Sequence, residues 1–454
     1  MKQYTSLYFV GAGGIGMSAL VRYFLAKGYK VAGYDRTQSP LTTELKAEGL
    51  EIVYEESVES IPDYCRNPET TLVVYTPAIP ASHVGLVYFR EHGFRVVKRA
   101  ELLGLITQSS KGLCFAGTHG KTTTSSMAAH IFHESPIGCN AFLGGILRNY
   151  NSNLILSEQS PFTVIEADEY DRSFHWLHPY MAVVTATDPD HLDIYGTEEA
   201  YLESFARFTS LIQPGGCLIM KKGIKLVPSV KENVKIYTYS ARDGGDFHAG
   251  NIRIGDGTIV FDFVMPEGSV ADIELGVPVE INIENAVAAM AIAWLNGVSG
   301  DDMRRAMASF KGAKRRFEFW VRRPVMIDDY AHHPDELKAS IRSVKALYPG
   351  RRLSVIFQPH LYSRTRDFAP QFAEALSLAD EVFLLDIYPA RELPIPGVTS
   401  KLIFDKITCR NKELCLREKL LERIKECNFD ILLTTGAGDI DRLLPEIAAI
   451  VESK

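Results

Sequence analysis

The sequence predicts an α/β protein of three domains: an N-terminal Rossmann-like domain, a central α/β domain of the P-loop type and a C-terminal Rossmann-like α/β domain. The 454 residues suggest about three domains. Short apolar runs typical of strands alternate with helical stretches, and glycine-rich or charged segments follow the strands, where open α/β sheets place their ligands. We expect the domains to cover residues 1–108, 109–313 and 314–454.

The composition excludes several classes of protein. With 46% hydrophobic residues, 23% charged residues and a net charge of −7, the chain has the balance of a globular protein. It has no Lys/Arg-rich tract and no apolar run long enough to span a bilayer, so we expect neither nucleic-acid binding nor membrane insertion. The N-terminus lacks a signal-peptide pattern, and the seven scattered cysteines include no Cys-x-x-Cys pair. We therefore expect a cytoplasmic protein without a disulfide framework or zinc cluster; its oligomeric state stays open.

The first segment predicts a diphosphate site. An apolar strand ending at Val10 runs into the turn Gly11-Ala-Gly-Gly-Ile-Gly16 and then a helix, and the second strand ends at Asp35. A Gly-x-Gly-x-x-Gly turn at a helix N-terminus holds a diphosphate, with the acid near a ribose. The motif alone does not separate a dinucleotide from a nucleotide-sugar, and Asp35 is alternatively a surface cap at a strand end. The candidate diphosphate-binding residues are Gly11, Gly13, Gly14, Gly16 and Asp35. Farther on, Lys98 and Arg99 are interpreted as a solvated pair.

The central segment contains a phosphate-binding loop. An apolar strand end, residues 112–116, precedes Gly117-Thr-His-Gly-Lys-Thr-Thr123, and a helix is predicted from Thr122. Glycines let backbone N–H groups approach phosphate oxygens, Lys121 can bridge terminal phosphates, and the Thr122 hydroxyl can hold Mg²⁺. The simpler alternative is a glycine turn that merely starts a helix, which the adjacent Lys-Thr makes the weaker interpretation. The candidate phosphate-binding residues are Gly117, Thr118, His119, Gly120, Lys121, Thr122 and Thr123.

Acidic and polar residues follow the next predicted strands. Glu166-Ala-Asp-Glu-Tyr-Asp171 ends one strand, and these carboxylates are interpreted as cation ligands, because Mg²⁺ prefers oxygen. Asp188-Pro-Asp-His-Leu-Asp193 ends the next, and His191 is either a second metal ligand or a structural histidine. Asn285, at the start of an apolar helical stretch, is either an N-cap or an amide that faces a base or ribose.

The last segment repeats the alternation of strands and helices. One strand precedes Asp328-Asp-Tyr-Ala-His-His-Pro334, and another precedes Gln358-Pro-His-Leu-Tyr-Ser-Arg-Thr-Arg366. His, Arg and Tyr are too dense at these strand ends for capping alone. Arg364 can anchor a substrate carboxylate bidentately, although any single one of these residues is alternatively part of a structural ion pair.

These motifs, with Asn282-Ile-Glu-Asn-Ala286 and Arg315-Arg-Phe-Glu318, resemble the Mur ligase family of bacterial cell-wall synthesis over essentially the whole chain. Within that family the chain is most similar to the branch that adds L-alanine. The resemblance implies a nucleotide-sugar-binding domain, an ATPase domain and an amino-acid-binding domain. It also implies ATP as cosubstrate, Mg²⁺ as cofactor, and UDP-N-acetylmuramate and L-alanine as substrates, with UDP diphosphate on the first glycine loop.

The resemblance also implies roles for individual residues. Lys121, Glu166 and His191 would be catalytic, and Thr122, Glu166 and His191 would hold Mg²⁺. Asn285 and Arg316 would contact ATP. The residues around L-alanine would be Tyr330, His332, His360 and Arg364. The lactyl carboxylate would attack the γ-phosphorus of ATP, and the alanine amine would then attack the acyl phosphate; domain closure would exclude water, and His191 and His332 are both candidates for the base.

The chain departs from the family pattern at two positions. Several Mur ligases carry a carbamoylated lysine in the helix after the Asp-His motif. Residues 201–213 of this chain contain no lysine, and their one basic residue is Arg207. The alanine-adding branch generally lacks this lysine too. Leu361 follows His360 where that branch often has a basic residue, which leaves one substrate contact open. The alternative functions are a recycling ligase that adds a tripeptide, an NAD-dependent oxidoreductase and a nucleotide-gated binding protein.

Overall fold

The structure, a computed structural model, describes residues 3–76, 78–189, 192–390 and 392–454. It contains three sheets of five, ten and six strands, in which most pairs are parallel. Parallel strands need crossover connections, and the helices between the strands supply them. The predicted α/β fold with three domains is therefore confirmed.

The first sheet is entirely parallel, in the order β3-β2-β1-β4-β5. Its strands are β1 (Ser6–Val10), β2 (Lys30–Tyr34), β3 (Glu51–Val53), β4 (Thr71–Tyr75) and β5 (Arg95–Lys98). Its helices are α1 (Ile15–Ala26), α2 (Pro40–Ala47), α3 (Val84–Glu91) and α4 (Arg99–Thr107). All five residues of β1 are buried, as expected for a central strand with helices on both faces.

The second sheet has the order β15-β14-β13-β12-β11-β10-β6-β9-β7-β8. Its strands are β6 (Lys111–Ala116), β7 (Asn140–Leu147), β8 (Ser152–Ile155), β9 (Phe162–Glu166), β10 (Pro179–Val184), β11 (Cys217–Lys221), β12 (Lys235–Ser240), β13 (Phe247–Gly255), β14 (Thr258–Met265) and β15 (Gly268–Glu274). Its helices are α5 (Lys121–His133), α6 (Leu192–Tyr195), α7 (Glu198–Ser210), α8 (Ile281–Leu295) and α9 (Gly300–Ser309). Because β6 pairs in parallel with both β9 and β10, the carboxyl ends of these three strands meet at one edge.

The third sheet has the order β16-β17-β21-β18-β19-β20, and only β16 pairs antiparallel. Its strands are β16 (Glu318–Arg322), β17 (Val325–Asp329), β18 (Leu353–Phe357), β19 (Glu381–Leu384), β20 (Asn411–Leu414) and β21 (Ile431–Thr435). Its helices are α10 (Pro334–Leu347), α11 (Tyr362–Leu376), α12 (Lys401–Phe404), α13 (Leu420–Glu426) and α14 (Leu444–Glu452). Since β17 and β18 both pair with β21, the two His-rich segments leave the sheet on either side of one strand.

The chain forms two compact units. The first runs to Gly250 and includes Phe263–Ala271 and Glu284–Met307; the second comprises Asn251–Asp262, Asp272–Ile283 and Ala308–Lys454. One hydrophobic core in the first unit contains both Phe9 of the first sheet and Ala116 of the second. The boundary predicted after residue 108 falls inside this unit, and the three domain boundaries stay a proposal. No helix within the described ranges has both the length and the apolar character needed to cross a bilayer.

Candidate active site

The phosphate loop leaves the carboxyl end of β6 and leads directly into α5. Gly117 and Gly120 have φ angles of +140° and +83°, where a side chain is strained, and a Cβ at 117 would collide with the Thr185 hydroxyl. Gly120 precedes α5 without a side-chain cap, so the N–H groups of the first turn are available to an anion. The helix begins at Lys121, one residue earlier than predicted.

The loop is fastened to the end of the neighbouring strand. Thr118 Oγ1 donates to Asp188 O at 2.7 Å and lies 2.8 Å from Tyr201 Oη. The Thr185 hydroxyl donates to the carbonyl oxygen of His119. The side chain of His119 is exposed and that of Thr123 is half-buried. The loop backbone is thus held in place while its N–H groups remain at the sheet edge.

Lys121 is paired with a buried carboxylate. Its Nζ donates to Gly117 O at 2.6 Å and to Glu169 Oε1 at 2.8 Å. Glu169 is only 2% exposed, and burial raises the pKa of its carboxyl while Lys121 opposes that rise. Sequence reasoning singled out the acidic segment but did not identify this partner, because the two residues are far apart in the chain.

Thr122 and Glu166 provide adjacent oxygen atoms. Thr122 Oγ1 donates to Glu166 Oε1 at 3.1 Å, and the N–H of Gly144 donates to Glu166 Oε2 at 3.1 Å. A Cβ at position 144 would collide with that carboxylate, so the approach requires glycine. Burial raises the pKa of the Glu166 carboxyl. The role of Gly144 was missed, since only the fold places β7 beside β9.

The other carboxylates of the acidic segment have cationic partners. Lys98 Nζ lies 2.8 Å from Asp171, and Arg99 lies 3.6 Å from Asp168. The interpretation of Lys98 and Arg99 as a merely solvated pair is therefore wrong. Among the described residues, none forms an ion pair with Glu166, so this is the carboxylate of the segment whose charge is left for a cation.

Hydroxyl and carboxylate oxygens fit Mg²⁺, which takes one or two carboxylates together with water and phosphate oxygens. Thr122 and Glu166 supply that donor set. His191, the third predicted ligand, lies outside the described residues. Within those residues, no group of three or more His, Cys, Asp or Glu side chains is arranged to hold a metal.

Asn285 lies in the interior of α8 rather than at its start. The helix begins at Ile281, so the predicted N-cap role is wrong. The side chain is buried, and its Oδ1 accepts a hydrogen bond from Thr124 Oγ1 at 3.1 Å. A Cβ at Gly120 would lie 2.9 Å from the same oxygen. The amide therefore supports the first turn of α5, and its contact with ATP stays a prediction.

The N-terminal glycine loop is closed by its own acid. Gly13 N donates to Asp35 Oδ2 at 2.7 Å, and Thr37 N donates to the other carboxylate oxygen at 3.2 Å. Asp35 thus joins the loop to the end of β2. Gly14 precedes α1 without a side-chain cap, and the Arg99 guanidinium lies where a Cβ at Gly16 would be. A diphosphate contact for Gly11, Gly13, Gly14 and Gly16 stays a prediction.

The second unit brings together the residues predicted to surround an amino acid. His332 Nδ1 lies 3.0 Å from Tyr330 O, and the rings of His332 and His360 are 6.1 Å apart. Burial, with help from the Arg364 cation, lowers the pKa of both histidines. His360 Nδ1 and Arg364 Nη1 are buried without a hydrogen-bond partner. Buried nitrogen atoms without partners are expected where a ligand supplies the missing hydrogen bond.

The proline-rich loop after β19 completes this group. Its Tyr388 stacks on His360 with ring centroids 5.9 Å apart, and its carbonyl oxygen accepts the Leu361 N–H at 3.0 Å. Glu392 accepts the Ser363 N–H at 2.9 Å and so caps α11. The sequence predicted only a loop here. Arg316 is exposed with its guanidinium 5.8 Å from the Tyr330 ring, and its contact with ATP stays a prediction.

Comparison with known proteins identifies a family. Three sequence profiles match: "Mur ligase family, catalytic domain" at residues 6–111, "Mur ligase middle domain" at 115–293 and "Mur ligase, glutamate ligase domain" at 315–438. The chain is 63% identical over 453 residues to a UDP-N-acetylmuramate–L-alanine ligase of Parabacteroides distasonis, covering 99% of this chain and 98% of that protein.

Solved structures agree with this result. The crystal structure of the UDP-N-acetylmuramate–alanine ligase of Thermotoga maritima matches with a TM-score of 0.80 and 25% identity over 99% of both chains. A murein peptide ligase of Psychrobacter arcticus matches with a TM-score of 0.63 and 22% identity, also over 99% of both chains. The chain therefore belongs to the Mur ligase family.

Proposed function

We propose that the protein joins L-alanine to the lactyl carboxylate of UDP-N-acetylmuramate, consuming ATP and releasing ADP and phosphate, as a step in peptidoglycan precursor synthesis. The observation that carries this proposal is the 63% identity, across nearly the whole of both chains, with a relative of that name. The phosphate loop of the first unit and the cluster of His332, His360 and Arg364 in the second unit supply chemical groups that suit this reaction. We further propose a cytoplasmic location, which the seven free cysteines and the need for ATP support.

Amide formation in water needs an activated carboxylate. The lactyl carboxylate attacks the γ-phosphorus of ATP, ADP departs, and the alanine amine then displaces phosphate from the acyl phosphate. The first step brings two anions together. Lys121 and the first-turn N–H groups of α5 bind the phosphate oxygens and offset that repulsion. Mg²⁺ held by Thr122 and Glu166, with His191 as the proposed third ligand, would supply further charge neutralisation.

The second unit binds and prepares L-alanine. Arg364 Nη1 and His360 Nδ1 are buried without partners, and the guanidinium N–H groups of Arg364 fit the amino-acid carboxylate. Burial lowers the pKa of His332, which favours the neutral ring, and Nδ1 donates to Tyr330 O. Nε2 is then the basic nitrogen of that ring, and we propose it as the acceptor of the ammonium proton; His191 is the other candidate.

The deciding experiment is phosphate release from ATP with UDP-N-acetylmuramate, with L-alanine or the tripeptide added in parallel reactions. We expect release with L-alanine alone. Release only with the tripeptide would assign the protein to recycling, and no release with either would refute the proposal. An NADH fluorescence titration tests the oxidoreductase alternative. Tight binding of NADH would support that alternative.

Lys121→Ala should lower turnover in this assay by at least about a hundredfold, because the ammonium neutralises phosphate charge in the transition state. Lys111→Ala is the matched control, since Lys111 stands at the opposite end of β6. Near-parental turnover of the Lys121 variant would contradict the assigned role.

A further inference from the structure

The lysine of the phosphate loop is held by a carboxylate to which the reaction described above gives no role. Lys121 Nζ donates one hydrogen bond to Gly117 O at 2.6 Å and one to Glu169 Oε1 at 2.8 Å. The second carboxylate oxygen, Oε2, lies 2.7 Å from Nζ, so the carboxylate faces the ammonium with both of its oxygens. An ammonium group carries three N–H donors, so one N–H of Lys121 remains for a further acceptor.

Glu169 depends on this contact. Its side chain is 2% exposed, so water cannot solvate its charge, and neighbouring Asp168 repels it. Removing Lys121 from its reach would leave a buried carboxylate unpaired, which is far more costly than keeping the pair. The pair is therefore expected to persist when a phosphate approaches the third N–H.

The backbone fixes the position of Glu169. Its carbonyl oxygen accepts hydrogen bonds from the Tyr195 hydroxyl and from the N–H of Arg172. Phe174 N donates to the carbonyl oxygen of the preceding residue, Asp168, at 2.9 Å. The carboxylate is thus presented to Lys121 from a rigid turn at the end of β9.

We propose that Glu169 is a positioning residue: it holds the Lys121 ammonium against the turn at Gly117, with one N–H left for a phosphate oxygen of ATP, and keeps this contact while ATP is bound. The inference rests on the proposed function, because it assigns Lys121 to ATP. Glu169 does not touch the substrate. It acts by restricting where the lysine charge can lie, and misplacement of a charged group by a fraction of an ångström weakens transition-state stabilisation.

The test compares Glu169→Gln with Asp168→Asn, two neutralising changes at neighbouring positions. Among the described residues, Asp168 pairs with Arg99 at 3.6 Å and forms neither a hydrogen bond nor an ion pair with Lys121, so its variant controls for local charge. We expect Glu169→Gln to lower kcat by about tenfold to a hundredfold, the worth of one charge-assisted hydrogen bond. The Kd of a non-hydrolysable ATP analogue, measured by calorimetry, should change by less than about threefold, and KM for L-alanine should not change.

Three results would overturn the proposal. Parental kcat in Glu169→Gln would show that the contact is only structural. An equal loss in Asp168→Asn would assign the effect to general charge. Tenfold tighter binding of the ATP analogue to Glu169→Gln would mean that ATP displaces Glu169 instead of sharing the lysine. If Glu169→Gln does not fold, Glu169→Asp keeps the charge but shortens the side chain, and it should still lower kcat; parental kcat there would also overturn the proposal.

A second measurement does not depend on ligation. Acetylation by an N-hydroxysuccinimide ester, quantified at each lysine by mass spectrometry, reports how freely Lys121 reacts. Without nucleotide, Lys121 should react several-fold faster in Glu169→Gln than in the parental protein, while Lys111 should not change. Equal rates would refute the Glu169–Lys121 contact. Absence of phosphate release from the parental protein would instead refute the proposed function and leave this result standing.

Discussion

At the scale of single residues, the oxygen atoms that we propose as Mg²⁺ ligands depend on a glycine that carries no functional group. The N–H of Gly144 donates to Glu166 Oε2, and the absence of a side chain lets β7 approach the carboxylate. A methyl group at this position would push the Glu166 carboxylate away from Thr122. Glycine at such a site reflects a close approach of backbone to a charged group.

Gly144→Ala is therefore expected to raise the Mg²⁺ concentration needed for half-maximal activity by about tenfold or more, because a displaced oxygen ligand costs metal affinity. Titration of phosphate release with MgCl₂ measures this. Gly255→Ala is the control, since a Cβ there meets no atom within 4 Å. An unchanged Mg²⁺ requirement in Gly144→Ala would argue against Glu166 as a ligand.

Asp328 is a buried acid whose proton affects stability. Its side chain is fully buried, accepts a hydrogen bond from Thr434 Oγ1 at 2.6 Å, and lies 3.4 Å from Arg315 Nε. Burial raises the pKa of Asp328 to about 7 from 3.8, with Arg315 opposing the rise. Between these two values the folded state binds more protons than the unfolded state at this group. Its contribution to stability is therefore fully present below pH 4 and is lost as the pH rises toward 7.

Asp328→Asn should remove that dependence. The unfolding free energy of the parental protein minus that of the variant should fall as the pH rises from about 4 to about 7. Urea unfolding at several pH values measures this difference. Parallel pH profiles of the two proteins would contradict the raised pKa.

At the scale of secondary-structure elements, helix α11 begins in an unusual way. Leu361 stands at its N-cap with φ +71° and ψ 137°, a backbone region that favours glycine, and it has no cap of its own. Glu392, from the proline-rich loop, supplies the cap through Ser363 N. His360 directly precedes this strained start and Arg364 lies in the first turn of α11, and strain of this kind is often retained at functional sites.

Leu361→Gly is expected to stabilise the protein by about 1 kcal/mol, because glycine relieves the positive φ. KM for L-alanine should not change if the leucine side chain has no part in binding. Thermal unfolding and the phosphate assay test both points. Leu416→Gly is the control: Leu416 has an ordinary φ of −68°, so its variant should gain nothing. A destabilised Leu361→Gly would contradict the strain.

At the scale of the whole molecule, each compact unit has a core of its own. One core of the first unit includes Phe9 and Ala116, and a core of the second includes Met326 and Ile356. Compact units with hydrophobic cores of their own commonly unfold in separate cooperative transitions. We therefore expect two transitions in scanning calorimetry.

A non-hydrolysable ATP analogue with Mg²⁺ should raise only the transition of the first unit, where the phosphate loop lies. At a concentration of 100 times Kd, mass action stabilises that unit by about 2.7 kcal/mol. Helix α5 belongs to the first unit, so hydrogen exchange of its backbone amides shows whether the transition that moved is that of the first unit. A single transition, or a shift confined to the second unit, would contradict this prediction.

The sequence was sufficient for the features that depend on neighbouring residues. The alternation of strands and helices predicted the α/β fold, and the strand–glycine–lysine pattern predicted the phosphate loop to within one residue of the start of α5. Asn285 was misplaced because the sequence shows no sharp start for α8, which begins five residues earlier than an N-cap role would require. Lys98 and Arg99 were misjudged because their partners, Asp171 and Asp168, lie in a distant segment.

What the sequence by itself determined was the local geometry: φ angles that only glycine accepts readily, apolar runs that must be buried, and the chemical types of the groups at each strand end. Only the tertiary structure decided which of those groups meet. The order of β10, β6 and β9 places Glu169 on Lys121 and Glu166 on Thr122, and the pairing of β17 and β18 with β21 brings His332 near His360. The physical reason is that backbone strain depends on a residue and its immediate neighbours, whereas charge pairing joins residues that are distant in the chain and therefore depends on the order of the strands in the sheet.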